Sequence, residues 1–573
     1  MLDKIFGGII IAIPFLNHVY RGISEFEVLF ICMALLSMLI ILHLITDNTT
    51  HIIHFGIFDL LVSIYLTYGL FSNLFIRQLE TEPLFYFKWG VLILIYIIVR
   101  KLSENYWKTI LISIIISGFI QAVVAYLQIL KLLGSSSVEF PITGSFSNPG
   151  HLGVYLAISI VALLTTILTK WNSIKASIKI AYLSMTAFII PALILADSRT
   201  SLVAIFVSCI ILCVKSEWFN KMGKKIKNII ILTIGLLLVV TVVSLYFYRP
   251  ASANTRLLIW RVSKEMFSEK PLFGHGTGSY PSNYMYWQAE YFSNHPDSKF
   301  IVASNNHYQA FNEFIHIACE QGIIGLILFA VLLYLIFMTR GRLILKLCFI
   351  TLLVASCFSY PFDVFPLMLL FPIFMGLLAP IDNIRSSFTF QIRPIAKLSF
   401  IVVFFGVLAA TIVYRQQYHR TEEALHHFML KKDARTDFIV RNNFGLIKKN
   451  MKFSFLYAKQ VLEMNDSFYS LSVFQEITKY FVTSDMMIDY GKLHQERKEY
   501  QEAKKCFVFA HFMTPSRILP RYHLFKLYEE MGDTYNAIIT AKKILVQPVS
   551  VVGSITLRTR KEMKDYLLIY LPK

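Results

Sequence analysis

Apolar runs of helix-spanning length alternate with short polar segments from the N-terminus to about residue 414. A run of roughly 20 apolar residues is long enough to cross the hydrocarbon core of a bilayer as an α-helix. The pattern therefore predicts an all-α polytopic membrane protein with about 12–13 transmembrane helices in a domain at residues 1–414. The predicted spans are roughly 4–18, 25–46, 53–76, 83–99, 107–131, 151–169, 177–196, 199–214, 228–247, 322–339, 344–360, 364–380 and 398–414.

Basic residues between these spans predict how the chain is oriented in the membrane. If the spans alternate strictly, three basic loops fall on one side, which the positive-inside rule makes cytoplasmic. The N-terminus is then cytoplasmic, and the tail from residue 415 onward lies on the opposite, extracytoplasmic side. The other side also receives residues 132–150, the turn ADSRTS and a large loop at 248–321. The basic residues are Arg100, Lys101, Lys108, Lys215, Lys221, Lys224, Lys225, Lys227, Arg340, Arg342 and Lys346.

Composition agrees with a membrane location and limits the classes of partner that we expect. Hydrophobic residues make up 56% of the chain and charged residues 16%, against about a quarter in soluble globular proteins. A net charge of +19 in a soluble protein would suggest nucleic acid. Here the basic residues lie between apolar runs, so we expect contacts with membrane lipids and phosphates and no nucleic acid. The seven cysteines show no metal-type spacing, and no disulfide framework is implied.

Two short extracytoplasmic segments carry polar groups at the membrane surface. PITGSFSNPGHLGVYLA presents Asn148 and His151, either as a turn with a helix start or as part of a site. ALILADSRTSLVAIF places Asp197 and Arg199 between two spans, where a charge is costly unless it is paired or faces water. These two residues either close a hairpin together or leave a guanidinium group for a phosphate, which it binds through planar paired donors.

The large loop contains three further patterns. Arg256, Trp260, Arg261 and Lys264 recur at helical spacing, which predicts an amphipathic helix along the membrane interface. GHGTG, at residues 274–278, predicts a tight turn, because a dinucleotide-binding loop would need a preceding strand. The aromatic stretch YMYWQAEYF predicts either an interfacial or packing surface, or a surface that stacks on sugars.

Four segments in order resemble the O-antigen ligase family, the Wzy-type C-terminal membrane domain. They are GSFSNPGHLGVYLA, DSRTSLVA, RLLIWRVSKEMFSEKPLFGHGTGSY and FNEFIHIACEQGIIG, and the resemblance covers roughly residues 130–380. NYMYWQAEYFSNHPDS and the helical tail look like the Bacteroidetes-type branch of that family.

The resemblance implies a metal-independent, inverting glycosyltransferase of the GT-C kind that acts at the periplasmic face of the bacterial inner membrane. The N-terminus would then be cytoplasmic and the C-terminal domain periplasmic. Such enzymes move a glycan from a polyprenyl-diphosphate carrier to an acceptor, here expected to be the lipid A core. It also implies that Arg199 and Arg256, with Arg261, contact the donor diphosphate. Asn148, His151 and Asn312 are expected in the acceptor or structural loops. No cofactor is implied.

One position departs from the family pattern and leaves the general base open. Phe311 stands where the family usually has a histidine before its asparagine, which here is Asn312. His307 lies four residues upstream and would share a face with that position if the segment were helical. It is the candidate base for the acceptor hydroxyl, with Glu313 and His316 as rivals. The alternative is that His307 is an ordinary loop residue.

Residues 415–573 are polar and carry an internal period of 34 residues. Lys492-Leu493 recurs as Lys526-Leu527, and Ala503 recurs as Ala537. This is the tetratricopeptide (TPR) spacing, with two helices per repeat and small residues where helices cross. The tail is therefore predicted to be a TPR-like helical repeat domain. It would bind a protein partner or the acceptor, or else pack as a cap on the membrane domain.

Other functions remain open on sequence alone. An O-antigen polymerase or a protein O-oligosaccharyltransferase would use the same donor and similar loops. A lipid-linked glycan transporter should show internal repeats and polar groups at mid-bilayer. No such repeat is visible across the membrane half. An inactive scaffold that presents the tail is a further alternative, because Phe311 replaces the usual histidine.

Overall fold

The computed structural model describes eleven stretches of the chain, and every structural statement below concerns these residues. They are residues 2–16, 31–32, 34–39, 52–102, 106–137, 139–339, 342–379, 388–391, 394–431, 434–464 and 466–570. Helices make up nearly all of their regular structure, which confirms the all-α prediction. The exception is a short antiparallel pair of strands, β1 (Ile52–Phe55) and β2 (Phe388–Gln391).

The helices are numbered here in chain order. Those of the membrane half and large loop are α1 (Leu2–Leu16), α2 (Ile57–Phe71), α3 (Pro83–Leu102), α4 (Trp107–Ile129), α5 (Pro149–Lys170), α6 (Ala176–Leu195), α7 (Arg199–Val214), α8 (Glu217–Asn220), α9 (Lys224–Tyr248), α10 (Pro250–Glu269), α11 (Tyr280–Asn294), α12 (Glu313–Met338), α13 (Leu343–Ser356) and α14 (Phe365–Leu378). Those that follow are α15 (Pro394–Lys431), α16 (Ala434–Asn442), α17 (Phe444–Ile447), α18 (Met451–Leu462), α19 (Ser467–Ile477), α20 (Ser484–Glu496), α21 (Tyr500–Met513), α22 (Leu519–Glu530), α23 (Thr534–Val546) and α24 (Ser554–Tyr570).

The membrane half has six helical stretches that are long and apolar enough to span a bilayer, among the residues described. These are Ile57–Ile76, Pro83–Lys101, Trp107–Ile129, Pro149–Ser173, Ala176–Leu195 and Glu313–Met338. Shorter apolar helices occupy Lys4–Phe15, Arg199–Val214, Leu343–Ser356 and Phe365–Leu378. The chain is therefore a multi-pass membrane protein. Predicted spans 228–247 and 398–414 lie within α9 and α15, whereas 25–46 falls mostly outside the described residues, so the count of thirteen stays a prediction.

Helix α5 lies at the centre of the membrane half and is buried along most of its length. Small residues let its neighbours approach closely. A Cβ on Gly118 of α4 would lie 2.0 Å from Oγ of Ser159, and one on Gly153 would lie 2.4 Å from Cβ of Ser198. Small residues at helix contacts are typical of membrane bundles, because close backbone approach supplies the packing that lipid cannot drive. This packing brings the beginnings of α5 and α7 together at one end of the bundle.

Helix α12 is kinked at Gly322, and the kink receives a segment of the large loop. Gly322 has φ +66° and ψ −167°, which interrupts the helix. The amide of Ile323 donates to the carbonyl oxygen of Pro271 at 2.8 Å, so the loop supplies an acceptor where the helical hydrogen bonds are interrupted. A Cβ on Gly322 would lie 2.2 Å from the carbonyl oxygen of Leu272. Glycine is therefore required both for the backbone angle and for space.

The large loop and the tail share one hydrophobic core. Loop helices α10 and α11 contribute residues that include Leu258, Tyr284 and Phe292, and tail helices α20 to α22 contribute others. Nε2 of Gln288 donates to the carbonyl oxygen of Met513 at 2.6 Å. The packing interpretation of YMYWQAEYF is thus confirmed, and the amphipathic helix predicted around Trp260 is α10.

The tail forms successive helix pairs that match the 34-residue period in sequence. Helices α20 and α21 make one pair, and α22 and α23 make the next. Ala503 and Ala537 occupy equivalent places and are fully buried, as is Leu527, with Leu493 nearly so. Both pairs therefore use small residues at the helix crossing. The TPR assignment and a repeat-binding role stay predictions.

Gly322→Ala is expected to destabilise the protein, because alanine would carry a left-handed φ and its Cβ would strike the loop backbone. We expect a loss of about 1–3 kcal/mol, the usual cost of such backbone strain. Thermal unfolding of the purified protein in detergent measures it. Gly235→Ala on α9 is the matched control, since a Cβ at that position would have no neighbouring atom within 4 Å. Equal melting temperatures for the two variants would contradict the role assigned to the kink.

Candidate functional site

The turn between α13 and α14, residues 357–363, is the centre on which the sequence-predicted segments converge. Its Cys357 carbonyl oxygen accepts from Nδ2 of Asn312 at 3.0 Å, and its Phe358 carbonyl oxygen accepts from Nε of Arg256 at 3.1 Å. Its Phe362 amide donates to Oε1 of Glu313 at 2.8 Å. Sequence reasoning did not single out this turn.

Arg199 and Arg256 meet at a single hydroxyl group. Nη2 of Arg199 donates to Oγ of Ser252 at 3.0 Å, and Nη1 of Arg256 donates to the same oxygen at 2.7 Å. Burial, followed by the nearby Arg199 charge, lowers the pKa of Arg256, although arginine stays protonated at any ordinary pH. Two like charges beside one neutral oxygen make a place where an anion would be stabilised. We call Arg199, Ser252 and Arg256 the arginine pair site.

Asp197 has an ion-pair partner that the sequence did not suggest. Its carboxylate pairs with the guanidinium of Arg249, which directly follows α9, and its charge also acts on Arg199. Asp197 itself has φ +47°, a left-handed conformation in the turn between α6 and α7. The physical reason is the fold: Arg249 is 52 residues away in sequence but reaches the same turn.

Tyr360 joins the first and last of the predicted segments through its ring. The ring centroid lies 4.8 Å from that of His151 and 4.9 Å from that of Phe311, edge-on in both cases. Cζ of Arg256 lies 5.3 Å from the centroid of Phe311, a cation–π contact. His151, Arg256 and Phe311 therefore belong to one assembly. No local pattern in the sequence marks Tyr360.

Asn148 and Asn312 both begin helices. Oδ1 of Asn148 accepts from the Gly150 amide at 2.7 Å and starts α5. Oδ1 of Asn312 accepts from the amides of Phe314 and Ile315 at 3.0 Å and 3.1 Å and starts α12. These are N-cap hydrogen bonds, which satisfy amides that have no partner within the helix. These hydrogen bonds give both asparagines a structural role as helix caps.

Phe311 is held in an unusual backbone conformation. Its φ is +51°, which is uncommon for any residue other than glycine and occurs often at functional sites. The hydrogen bonds of Asn312 on one side and of Trp260 Nε1 to the Ala310 carbonyl oxygen at 3.0 Å on the other hold it there. The conformation directs the ring between Tyr360 and Arg256.

His307 lies in the core of the loop, and the structure does not join it to the arginine pair site. Its amide donates to Sδ of Met285 at 3.4 Å, and its ring packs edge-on against Tyr284. Within the described part of the chain, its buried Nε2 has no hydrogen-bond partner. Burial lowers its pKa to about 4. The condition under which His307 would share a helix face with position 311 is not met, because α12 begins only after the Asn312 cap. The role of His307 as general base stays a prediction.

The two rival bases, Glu313 and His316, lie on one face of α12 together with Glu320. Nε2 of His316 lies 3.2 Å from Oε1 of Glu320. The Glu320 carboxylate also accepts from the amides of Gly278 at 2.8 Å and Tyr280 at 2.9 Å. This confirms GHGTG as a tight turn, whose three glycines all have positive φ.

Glu313 and His316 line a cavity of about 430 Å³. We call it the junction cavity, because α2, α3, α12, α14 and residues 449, 480 and 481 of the tail all contribute to its wall.

Arg261 lies apart from the arginine pair site. It is on α10 five residues after Arg256, which places it on a different face of the helix. Its side chain is exposed, and its charge acts on Glu265. Burial raises the pKa of the Glu265 carboxyl, and the Arg261 charge offsets part of that rise. The structure therefore brings together Arg199 and Arg256 but not Arg261.

One comparison with known proteins gives a match. Residues 184–330 match the family model Wzy_C, described as O-antigen ligase. The matched stretch runs from within α6 into α12 and contains Arg199, Ser252, Arg256, Phe311 and Asn312. A search of curated proteins gave no match.

The depressed pKa of His307 predicts acid sensitivity. Its folded pKa of about 4 lies below the ordinary value of 6.5, so unfolding takes up a proton between these values. The contribution of neutral His307 is complete above about pH 6.5 and is lost as the pH falls towards 4. Melting temperatures measured at pH 8, 6.5 and 5 should fall less steeply for His307→Leu than for the parent. His419→Leu, at an exposed side chain, serves as the control, and an unchanged slope for His307→Leu would contradict this burial.

Proposed function

We propose that this chain, which belongs to the O-antigen ligase family, transfers a glycan from a polyprenyl-diphosphate carrier to an acceptor at the periplasmic face of the inner membrane. The observation that carries the proposal is the arginine pair site, where two guanidinium groups donate to one oxygen at 3.0 Å and 2.7 Å. A diphosphate offers several anionic oxygens, which match the planar donors of arginine. The expected acceptor is the lipid A core.

In the proposed reaction an acceptor hydroxyl oxygen attacks the anomeric carbon of the donor sugar. A new carbon–oxygen bond forms while the bond from that carbon to the phosphate oxygen breaks. The diphosphate leaves with the bonding electron pair, and attack from the opposite face inverts the anomeric centre. Negative charge grows on the phosphate oxygen in the transition state, where fixed positive charges stabilise it most. Arg199 and Arg256 supply this stabilisation without a metal.

The hydroxyl proton passes to a general base, which we place at Glu313. Glu313 follows Phe311 and Asn312, and its Oε1 is bound by the same turn that binds Arg256. It also lines the junction cavity, which could admit an acceptor. His316 is the alternative base on the same face. His307, the first candidate from sequence, is instead packed in the loop core.

Arg199→Ala and Arg256→Ala are each expected to reduce transfer by about a hundredfold or more, the range seen when one transition-state donor is removed. The variants are expressed in a strain that lacks the gene, and lipopolysaccharide and glycoproteins are profiled. Without transfer, carrier-linked polymer should accumulate and long chains on the lipid A core should be missing. Arg261→Ala, on the exposed face of α10, is the matched control and should behave as the parent.

The same profiles separate the competing functions. Normal capping of the lipid A core by both arginine variants would contradict the donor site. Single-repeat chains in the deletion strain would indicate a polymerase, and bare proteins with normal lipopolysaccharide would indicate protein glycosylation. Carrier-linked glycan that fails to reach the periplasm would indicate a transporter.

Glu313→Gln is expected to lower kcat by about a hundredfold or more and to leave the donor KM nearly unchanged, because the amide cannot accept the acceptor proton. The measurement is transfer by purified protein with a synthetic lipid-linked donor. His307→Gln is the companion variant and should keep near-parent kcat. If His307→Gln loses activity while Glu313→Gln retains it, the base assignment is reversed.

A further inference from the structure

The junction cavity contains buried polar atoms that the described protein residues leave without hydrogen bonds. They are Nε of Arg77, Nδ1 of His316 and Oε1 of Gln321, and all three residues line the cavity. Gln321 is only 4% exposed. Buried polar groups are nearly always paired, so three unpaired atoms on residues of one cavity wall indicate a polar ligand.

The charges around this polar end favour a neutral, hydroxyl-rich ligand over an anion. Carboxylates of Glu313, Glu320 and Asp363 lie on the wall beside Arg77 and His316. Such a mixture of donors and acceptors suits hydroxyl groups, each of which both donates and accepts. Aromatic rings, including that of Phe481, complete this part of the wall and offer faces against which a sugar ring could pack.

The rest of the cavity is apolar and lies among membrane helices. Leu66 of α2, Leu92 and Ile93 of α3, and Phe371 and Met375 of α14 line it. Helices α2 and α3 belong to stretches long and apolar enough to span a bilayer, and α14 is one of the shorter apolar helices. A cavity with a polar end and an apolar end within the bundle fits an amphipathic ligand whose hydrocarbon part enters from the bilayer.

The tail supplies part of the wall at the polar end. Lys449, Tyr480 and Phe481 line the cavity, and polar contacts fix this part of the tail on the segment between α2 and α3. Nζ of Lys449 lies 2.6 Å from Oε2 of Glu80. Nδ2 of Asn450 donates to Oε1 of Glu82 at 3.1 Å. The same contacts thus attach the tail and close the cavity.

We propose that the junction cavity binds the saccharide end of a membrane-anchored acceptor, and that the tail determines acceptor specificity through Lys449 and Phe481. This rests on the proposed glycan transfer, whose acceptor side it specifies. Glu313 and His316 belong to the same wall, so an acceptor sugar in the cavity would have its hydroxyl groups beside the proposed base. The tail is therefore part of the substrate site as well as a packing unit.

The test measures acceptor binding without any donor. Full-length protein in phospholipid nanodiscs is titrated with rough lipopolysaccharide, which is lipid A bearing core sugars. Phe481→Ala should raise the Kd by about tenfold, a change of about 1.4 kcal/mol. Lys449→Met, which keeps the side-chain length and loses the charge, should raise it severalfold. Phe438→Ala, at a tail residue that is 65% exposed, is the matched control and should bind as the parent.

Melting temperatures show whether each variant is folded. If Phe481→Ala does not fold, Lys449→Met still tests the proposal. Parent-like Kd values for both wall variants would overturn the proposal. Equal binding of a phospholipid without sugar would also overturn it, as would binding of an acceptor peptide in place of the glycolipid. Because no donor is present, this binding test is independent of the transfer reaction. If the parent binds the acceptor but transfers no glycan, the cavity assignment stands and the proposed reaction is rejected. If the parent transfers glycan but both wall variants bind the acceptor as the parent does, the role of the tail is rejected.

Discussion

The buried carboxylate of Glu320 imposes the constraint on which the loop side of the molecule depends. A carboxylate inside a membrane protein is costly unless its oxygens are bound, and here two loop amides and His316 bind them. The amides belong to the glycine turn that joins α10 to α11. The turn can approach so closely because Gly276 has no side chain: a Cβ there would lie 2.5 Å from Cα of Arg77. Satisfying one charge thus fixes the loop on both α12 and the segment that follows α2.

This anchoring explains how two arginines can be kept close together before any anion arrives. The loop segment in the Gly322 kink holds the C-terminal end of α10, and the 357–363 turn holds Arg256 in the middle of that helix. These contacts therefore hold Arg199 and Arg256 together against the repulsion between their charges. In catalysis by electrostatic preorganisation, the cost of orienting the charges is met during folding, so little remains at the transition state.

Local patterns in the sequence predicted those parts of the site whose geometry depends on neighbouring residues. The glycine turn, the paired alanines of the tail and the position of Arg199 at a helix start follow from spacing alone. Tyr360 could not be found in this way, because an aromatic residue between two apolar spans resembles any other interfacial residue. The Arg249 partner of Asp197 depends on tertiary structure in the same sense. The start of α12 could also be read from sequence, since Asn312 followed by Glu313 is an ordinary helix-start signal, and it places His307 before the helix.

The tail illustrates why a boundary read from composition can mislead about function. Polarity changes near residue 415, which suggests a separate module, yet the tail shares a buried core with α10 and α11 and carries a wall of the junction cavity. Lys449 and Asn450 of the tail also bind Glu80 and Glu82, which lie in the segment that leads from α2 to α3. A change in the tail core would therefore shift both the loop that positions Arg256 and the wall that faces Glu313. The donor and acceptor sides of the proposed site are therefore joined through one packing unit.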